Sequence, residues 1–132
     1  TFRVTASGTI TTSSAPGNDT FRVRIGTTTL TGNIAAVVVA AANASVTAQN
    51  FYLEFLVTVR TAGATGSVVG QGIVWSENAT TGAFTATNVI GMTTSTVVVD
   101  TTAAKLIELT ALTGAASSSV TFENASIEIV KM

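Results

Sequence analysis

The sequence predicts an all-β fold, a jelly-roll-like antiparallel β-sandwich of about eight to ten strands, and three observations support this prediction. Apolar and polar residues alternate with a period of two along much of the chain, as they do in half-buried strands. Turn-forming clusters separate these stretches at intervals of roughly ten residues, and no long helical pattern occurs. Threonine and serine occupy 37 positions although only 10% of residues are charged, and β-branched threonine fits a pleated surface. An immunoglobulin-like sandwich is the alternative, although its cysteine pair is missing.

The length of 132 residues predicts one sandwich domain over residues 1–132, because such a chain can bury a core without disulfides. The chain begins at Thr1 rather than at a methionine, so we expect it to be processed or to belong to a longer protein.

The most regular alternation lies in residues 50–60, which we predict to be the central strand. Four apolar side chains share one face of this stretch: Leu53, Phe55, Val57 and Val59. A face this continuous must pack against a second sheet, so these residues are predicted core.

The N-terminal part predicts two strands and a short partner strand. Phe2–Thr12 reads as one strand that is kinked or bulged at Gly8, and Ser13–Asp19 is a loop rich in turn formers. Thr20–Ile25 is an amphipathic strand, and Thr27–Leu30 is predicted to pair with it. The side chains predicted to join the core are Phe21, Val23 and Ile25, whereas Arg22 and Arg24 face outward.

The remaining strands are less regular. Ile34–Ala48 mixes helix-favouring alanine with strand-favouring valine, and we interpret it as a strand with an irregular tail. In the strand Ser67–Glu77, Gly70 and Gly72 indicate a bulge or a close backbone approach. Further predicted strands are Ala83–Ile90, Ser95–Val99, Lys105–Leu112, Val120–Phe122 and Ile127–Ile129.

The strand Lys105–Leu112 carries apolar residues on both faces. Leu106 and Leu112 lie on one side, and Ile107 and Leu109 lie on the other. A two-sheet domain covers only one of these faces with its own core. These four residues are therefore predicted to form a subunit contact.

The sequence offers no set of catalytic or metal-binding residues. It contains neither histidine nor cysteine, which excludes Ser-His-Asp and Cys-His arrangements and the commonest metal ligands. Three of the seven acids, Asp19, Glu77 and Asp100, fall in predicted turns, where solvation is the simplest interpretation. We therefore expect no enzymatic activity and no cofactor.

The composition also predicts no nucleic-acid partner and no membrane insertion. The six basic residues are scattered and the net charge is −1, so no patch can neutralise a run of phosphates. No segment approaches the roughly 20 apolar residues that a membrane-spanning helix needs.

Several stretches, in this order, resemble a domain of structural proteins in tailed-bacteriophage virions, such as head fibre, decoration or tail proteins. They are Phe21–Gly26 with Thr28–Leu30, Tyr52–Arg60 with Gly63–Gly66 and Gly70–Gly72, and then Val99–Ala104, Leu109–Ala111, Gly114–Ser117 and Ile127–Ile129. The chain departs from that family where Phe51 and Tyr52, and later Leu112, stand in place of tryptophans.

This resemblance implies a jelly-roll module of a virion, most simply a homotrimer fixed to a capsid or tail by another segment. Its partners would be copies of itself and other virion proteins, and it implies no enzymatic activity. The alternative is a receptor- or carbohydrate-binding tip of a phage fibre, whose partner would be a host-surface glycan and whose binding residues would lie in loops at one end of the sandwich.

Overall fold

The computed structural model describes residues 1–77, 84–93 and 96–131. These residues form nine strands: β1 (Phe2–Thr11), β2 (Asn18–Gly26), β3 (Asn33–Ala41), β4 (Gln49–Thr61), β5 (Ser67–Glu77), β6 (Phe84–Thr93), β7 (Val97–Val98), β8 (Leu106–Leu112) and β9 (Ser119–Ile129).

The strands form two antiparallel sheets that pack face to face, so the predicted β-sandwich is confirmed. The larger sheet has the order β6-β5-β4-β1-β9, with the short β7 also paired to β5. The smaller sheet has the order β3-β2-β8. The chain passes from the larger sheet to β2 and β3, returns for β4 to β7, and then adds β8 and β9 to opposite sheets.

The predicted central strand lies at the centre of the larger sheet, where β4 pairs with β1 on one side and β5 on the other. Leu53, Phe55 and Val57 are buried, as the alternation predicts. Val59 was expected in the core but is 37% exposed, because it lies next to the irregularity that ends the β4–β5 pairing.

The smaller sheet also has the predicted register. Phe21, Val23 and Ile25 on β2 are buried against the larger sheet, whereas Arg22 and Arg24 lie on its outer face and are only partly buried. The two sets alternate strictly, as expected for a sheet with one buried face.

The two β5 glycines lie where the packing leaves no space for a side chain. A Cβ at Gly70 would overlap the carbonyl oxygen of Ala35 on the opposite sheet, and one at Gly72 would overlap the Phe55 ring. The predicted close backbone approach is therefore correct, and it brings β3 against β5.

Three predicted elements differ from the structure. Thr27–Leu30 forms turns instead of a strand, and Leu30 has a positive φ of 61°. Residues 120–122 and 127–129 belong to one continuous strand, β9, which carries an irregularity opposite Ser7 and Gly8. Asp19 lies inside β2 and is 1% exposed, although the sequence placed it in a solvated loop.

The two lateral sides of the sandwich are unequal. On one side, β3 packs closely against β5 and β6. On the other side, the edge strands β8 and β9 make no comparable contact within the described part of the chain. As far as residues 1–77, 84–93 and 96–131 are concerned, the sandwich is therefore closed along one side and open along the other.

Candidate interaction surface

Strand β8 forms one edge of this opening and has apolar residues on both faces. Ile107 and Leu109 stand opposite Ile25 and Val23 of β2, so they point inward and are partly buried against the core. Leu106 and Leu112 point to the outer face of the smaller sheet and are 49% and 55% exposed. The structure thus divides the four predicted contact residues between the two faces as the alternation predicts.

Strand β9 forms the other edge, and its first half packs on the core. The Phe122 ring lies 5.8 Å from Phe51 and 6.4 Å from Phe21, measured between centroids, and contacts both edge-on. Edge-to-face contact is a favoured geometry for aromatic pairs. This cluster anchors β9 at one end of the sandwich.

The second half of β9 is exposed although its apolar residues face inward. Ile127 stands opposite the buried Val4, and Ile129 stands opposite Phe2, so both point to the core side of the larger sheet. They nevertheless remain 49% and 76% exposed. In a β-sandwich the opposite sheet normally covers side chains that face inward. The exposure of both isoleucines shows that the described part of the smaller sheet does not extend over this half of β9.

A groove of about 520 Å³ runs between β8 and β9. Its apolar walls include Leu109, Val120 and Phe122, and Leu30 lies at its rim. The backbone N–H of Leu30 donates to Glu108 Oε2 at 2.7 Å, which fixes the turn beside β8. We call the surface formed by β8, β9 and Leu30 the open side.

The open side also presents two strand edges. Among the described residues, β8 pairs only with β2 and β9 pairs only with β1. Each strand therefore leaves a row of backbone N–H and C=O groups without a strand partner, and β9 does so over eleven residues. Long unprotected edges of this kind are ready sites for pairing with another chain.

Sequence reasoning identified the β8 part of this surface but missed Leu30, Ile127 and Ile129. Ile127 and Ile129 alternate with Glu128 as residues of a half-buried strand do. Their exposure is visible only in the structure, where the opposite sheet does not cover them. Leu30 was predicted to lie in a strand, since nothing in the sequence indicates a turn with a positive φ at a leucine, a conformation that leucine rarely adopts.

The carboxylates do not form a catalytic arrangement. Arg3 lies between Glu54 and Glu128, with nitrogen–oxygen distances of 3.8 Å to each, so the Arg3 guanidinium offsets both charges. No group of three or more acidic residues that could hold a metal occurs within residues 1–77, 84–93 and 96–131.

Two other acids accept hydrogen bonds from residues distant in sequence. The backbone and side-chain N–H groups of Asn50 donate to Glu77 Oε2 at 2.8 and 2.9 Å, and these bonds lower the pKa of Glu77. Asp19 Oδ1 accepts a 3.3 Å bond from the Gly114 backbone, while burial raises the pKa of Asp19. Neither acid lies on the open side.

Comparison with known proteins gives no family assignment: no family model, no curated protein and no solved structure matches this chain. Within the described residues, no helix has the length and apolar character needed to cross a bilayer. The open side is therefore the feature from which a function can be inferred.

Proposed function

We propose that this chain is a non-enzymatic structural module that assembles with copies of itself through the open side. We further propose that the assembly belongs to a bacteriophage virion, as a capsid decoration, head fibre or tail component. The observation that supports assembly is the uncovered inward face of β9 beside the two-faced β8. The resemblance of the sequence to virion structural proteins supports the location.

The exposed apolar side chains would supply part of the free energy that assembly needs. Full burial of a leucine or isoleucine side chain contributes about 1.5 to 3 kcal/mol, so a half-exposed one retains about 1 kcal/mol. Five such residues lie on the open side: Leu30, Leu106, Leu112, Ile127 and Ile129. Their sum of about 5 kcal/mol only reaches the lower end of the association cost of about 4 to 15 kcal/mol.

Pairing of the strand edges would supply the remainder. An edge of eleven residues offers several backbone hydrogen bonds to a neighbouring strand, each contributing about 1 kcal/mol. A cyclic arrangement would cover every open side with another copy and leave no free edge. The resemblance favours three copies.

Sedimentation of the purified chain at about 10 to 100 μM tests the assembly. We expect a trimer, and we expect Ile129→Glu to shift it toward monomer because the substitution places a charge in the interface. Val98→Glu is the matched control, since Val98 is 61% exposed but lies on β7, which pairs with β5 and not with the open side. A wild-type monomer at 100 μM, or equal dissociation of both variants, would contradict the proposal.

The virion location has its own test. An antibody against the chain should label intact phage particles from the genome that encodes it, and cryo-EM of those particles would place the domain on the head or the tail. Absence of the chain from purified particles by mass spectrometry would disprove this part while leaving the assembly result unaffected.

A further inference from the structure

The outer face of the larger sheet carries an aromatic pair that the core does not use. Tyr52 on β4 stands opposite Trp75 on β5, with ring centroids 5.5 Å apart and planes inclined by 36°. Tyr52 is 37% exposed, and Trp75 is partly exposed. Tyrosine and tryptophan are enriched at interfaces, because each combines a large apolar ring with a polar group.

Small polar side chains continue the same row across the sheet. Ser7 on β1 stands opposite Tyr52, and Asn124 on β9 stands opposite Ser7. The row therefore crosses four strands, which corresponds to roughly 14 Å at the usual strand spacing. In the adjacent row, the Thr5 and Ser126 hydroxyls are hydrogen-bonded to each other at 2.8 Å.

The side chains of β1 and β9 in these two rows line a shallow groove of about 320 Å³ with Tyr52 as one wall, and Trp75 lies behind Tyr52. The groove exists because Thr5, Ser7 and Ser126 are small, whereas Tyr52 is large. The irregularity in β9 lies next to Asn124, and such irregularities commonly redirect a side chain beside a binding site.

The polar groups of the groove are available to a ligand. Within the described part of the chain, no hydrogen bond engages the side chains of Ser7, Asn124 or Tyr52. Together they offer two hydroxyl groups, each able to donate and accept, and one amide that supplies both a carbonyl oxygen and an NH₂ group.

The groove is also uncharged. Every residue that lines it is neutral, and the nearest cation, Arg3, is already flanked by Glu54 and Glu128. An anionic ligand such as a phosphate chain would find no unpaired positive charge here. Charge complementarity therefore favours a neutral ligand with many hydroxyl groups.

We propose that this groove binds a neutral oligosaccharide. The face of an aromatic ring carries negative charge density, so the C–H groups of a pyranose ring can pack on Tyr52 and Trp75. The hydroxyl groups of the sugar would exchange hydrogen bonds with Ser7 and Asn124, since a site of this kind combines an aromatic surface with a few placed polar groups. The groove shares β9 with the open side, but it uses the outward-facing Asn124 and Ser126, whereas the proposed assembly uses the inward-facing Ile127 and Ile129. Sugar binding and self-assembly are therefore separate proposals with separate tests.

Trp75 is the only tryptophan of the chain, and its ring lies 5.5 Å from that of Tyr52 in the groove wall, so its fluorescence reports binding that contacts or moves Tyr52. A glycan array comparing neutral with uronic-acid and sialic-acid glycans should show binding to neutral glycans only. The best neutral oligosaccharide, titrated to about 10 mM, should then change Trp75 emission in a saturable manner.

Two variants assign the site. Tyr52→Ala should weaken binding about tenfold, and Asn124→Ala should weaken it by a few-fold, because each removes one class of contact. Tyr52→Phe should retain most of the affinity, since it keeps the ring. Val98→Ala is the matched control, because it truncates an exposed apolar side chain of the same sheet outside both the groove and the open side and should leave affinity unchanged.

The Asn124 variant keeps the test valid if Tyr52→Ala fails to fold. Three results would overturn the proposal: no neutral glycan bound on the array or at 10 mM in solution, tighter binding of charged glycans, or equal affinity of wild type and both alanine variants. Loss of self-assembly with retained sugar binding would refute only the proposed function.

Discussion

Asp19 provides the sharpest test of the structure, through Asp19→Asn. This side chain is 1% exposed inside β2, and its Oδ2 has no hydrogen-bond partner among the described residues. Its other oxygen accepts one bond from the backbone of Gly114, in the loop that follows β8. Burial penalises the charged form more than this bond favours it, so the pKa of Asp19 is raised.

The sign of the pH dependence follows from that direction. A carboxyl whose pKa is higher in the folded state than in the unfolded state binds more protons when folded. Its penalty is fully present above the folded pKa and disappears as the pH falls to the unfolded value. The Asp19 contribution therefore makes the protein more stable as the pH is lowered from 7 through the raised pKa of Asp19.

The Asn substitution removes this charge while nearly preserving the shape. Leaving a buried polar group unsatisfied costs about 1 to 3 kcal/mol, and more when it is charged. Asparagine places a neutral NH₂ group where the charged Oδ2 stands, so it exchanges the larger penalty for the smaller one and should raise the unfolding free energy at pH 7 by about 1 kcal/mol. The unfolding entropy of 132 residues is about 0.28 kcal/mol/K, and each 1 kcal/mol therefore raises Tm by about 4 °C.

Urea unfolding of wild type and variant at several pH values between 7 and 4 provides the assay. The advantage of Asp19→Asn should be largest at pH 7 and should shrink as Asp19 of the wild type becomes protonated. An advantage that does not change with pH, or a variant less stable than wild type at pH 7, would refute the burial argument. Comparing the two proteins at each pH cancels the contributions of Glu77 and Asp100, whose pKa values are lowered by hydrogen bonds.

Two further predictions concern the core. Phe55→Ala should lower the unfolding free energy by about 3 to 5 kcal/mol, because Phe55 is completely buried at the centre of β4; a loss below about 1 kcal/mol in chemical denaturation would place it at the surface. Gly70→Ala should destabilise by about 1 to 3 kcal/mol, because its Cβ would overlap the Ala35 backbone of the opposite sheet. The control is Gly63→Ala, whose Cβ would meet no neighbouring atom but whose positive φ of 128° adds backbone strain. If Gly63→Ala lowers the unfolding free energy more than Gly70→Ala does, the overlap between the sheets is not the larger effect, which would contradict this prediction.

Local periodicity was sufficient to predict which faces of the strands are buried. Leu53, Phe55, Phe21 and Val23 occupy the core as predicted, because alternate residues of a strand point to opposite faces whatever the strand pairs with. The apolar outer face of β8 was predicted for the same reason. The close approach at Gly70 was also predictable, since glycine in a strand interior commonly marks such contacts.

Other features depended on pairing between distant parts of the chain. Asp19 is buried because the loop at Gly114, 95 residues away, packs over it, and the Asn18–Gly26 stretch contains no sign of that contact. Ile129 is exposed because the opposite sheet does not cover it, although its alternation resembles that of a buried residue. The row from Asn124 through Ser7 and Tyr52 to Trp75 exists only because β9, β1, β4 and β5 lie side by side in one register.

The sequence by itself therefore determined the all-β class, the strands of the core and the inward side of each, since these follow from local alternation. The tertiary structure alone decided which strands became edges, where the sandwich remained open and which polar side chains came together. The physical reason is that burial at an edge, and a groove across four strands, depend on neighbours far apart in sequence, and no local pattern encodes which neighbour a strand will have.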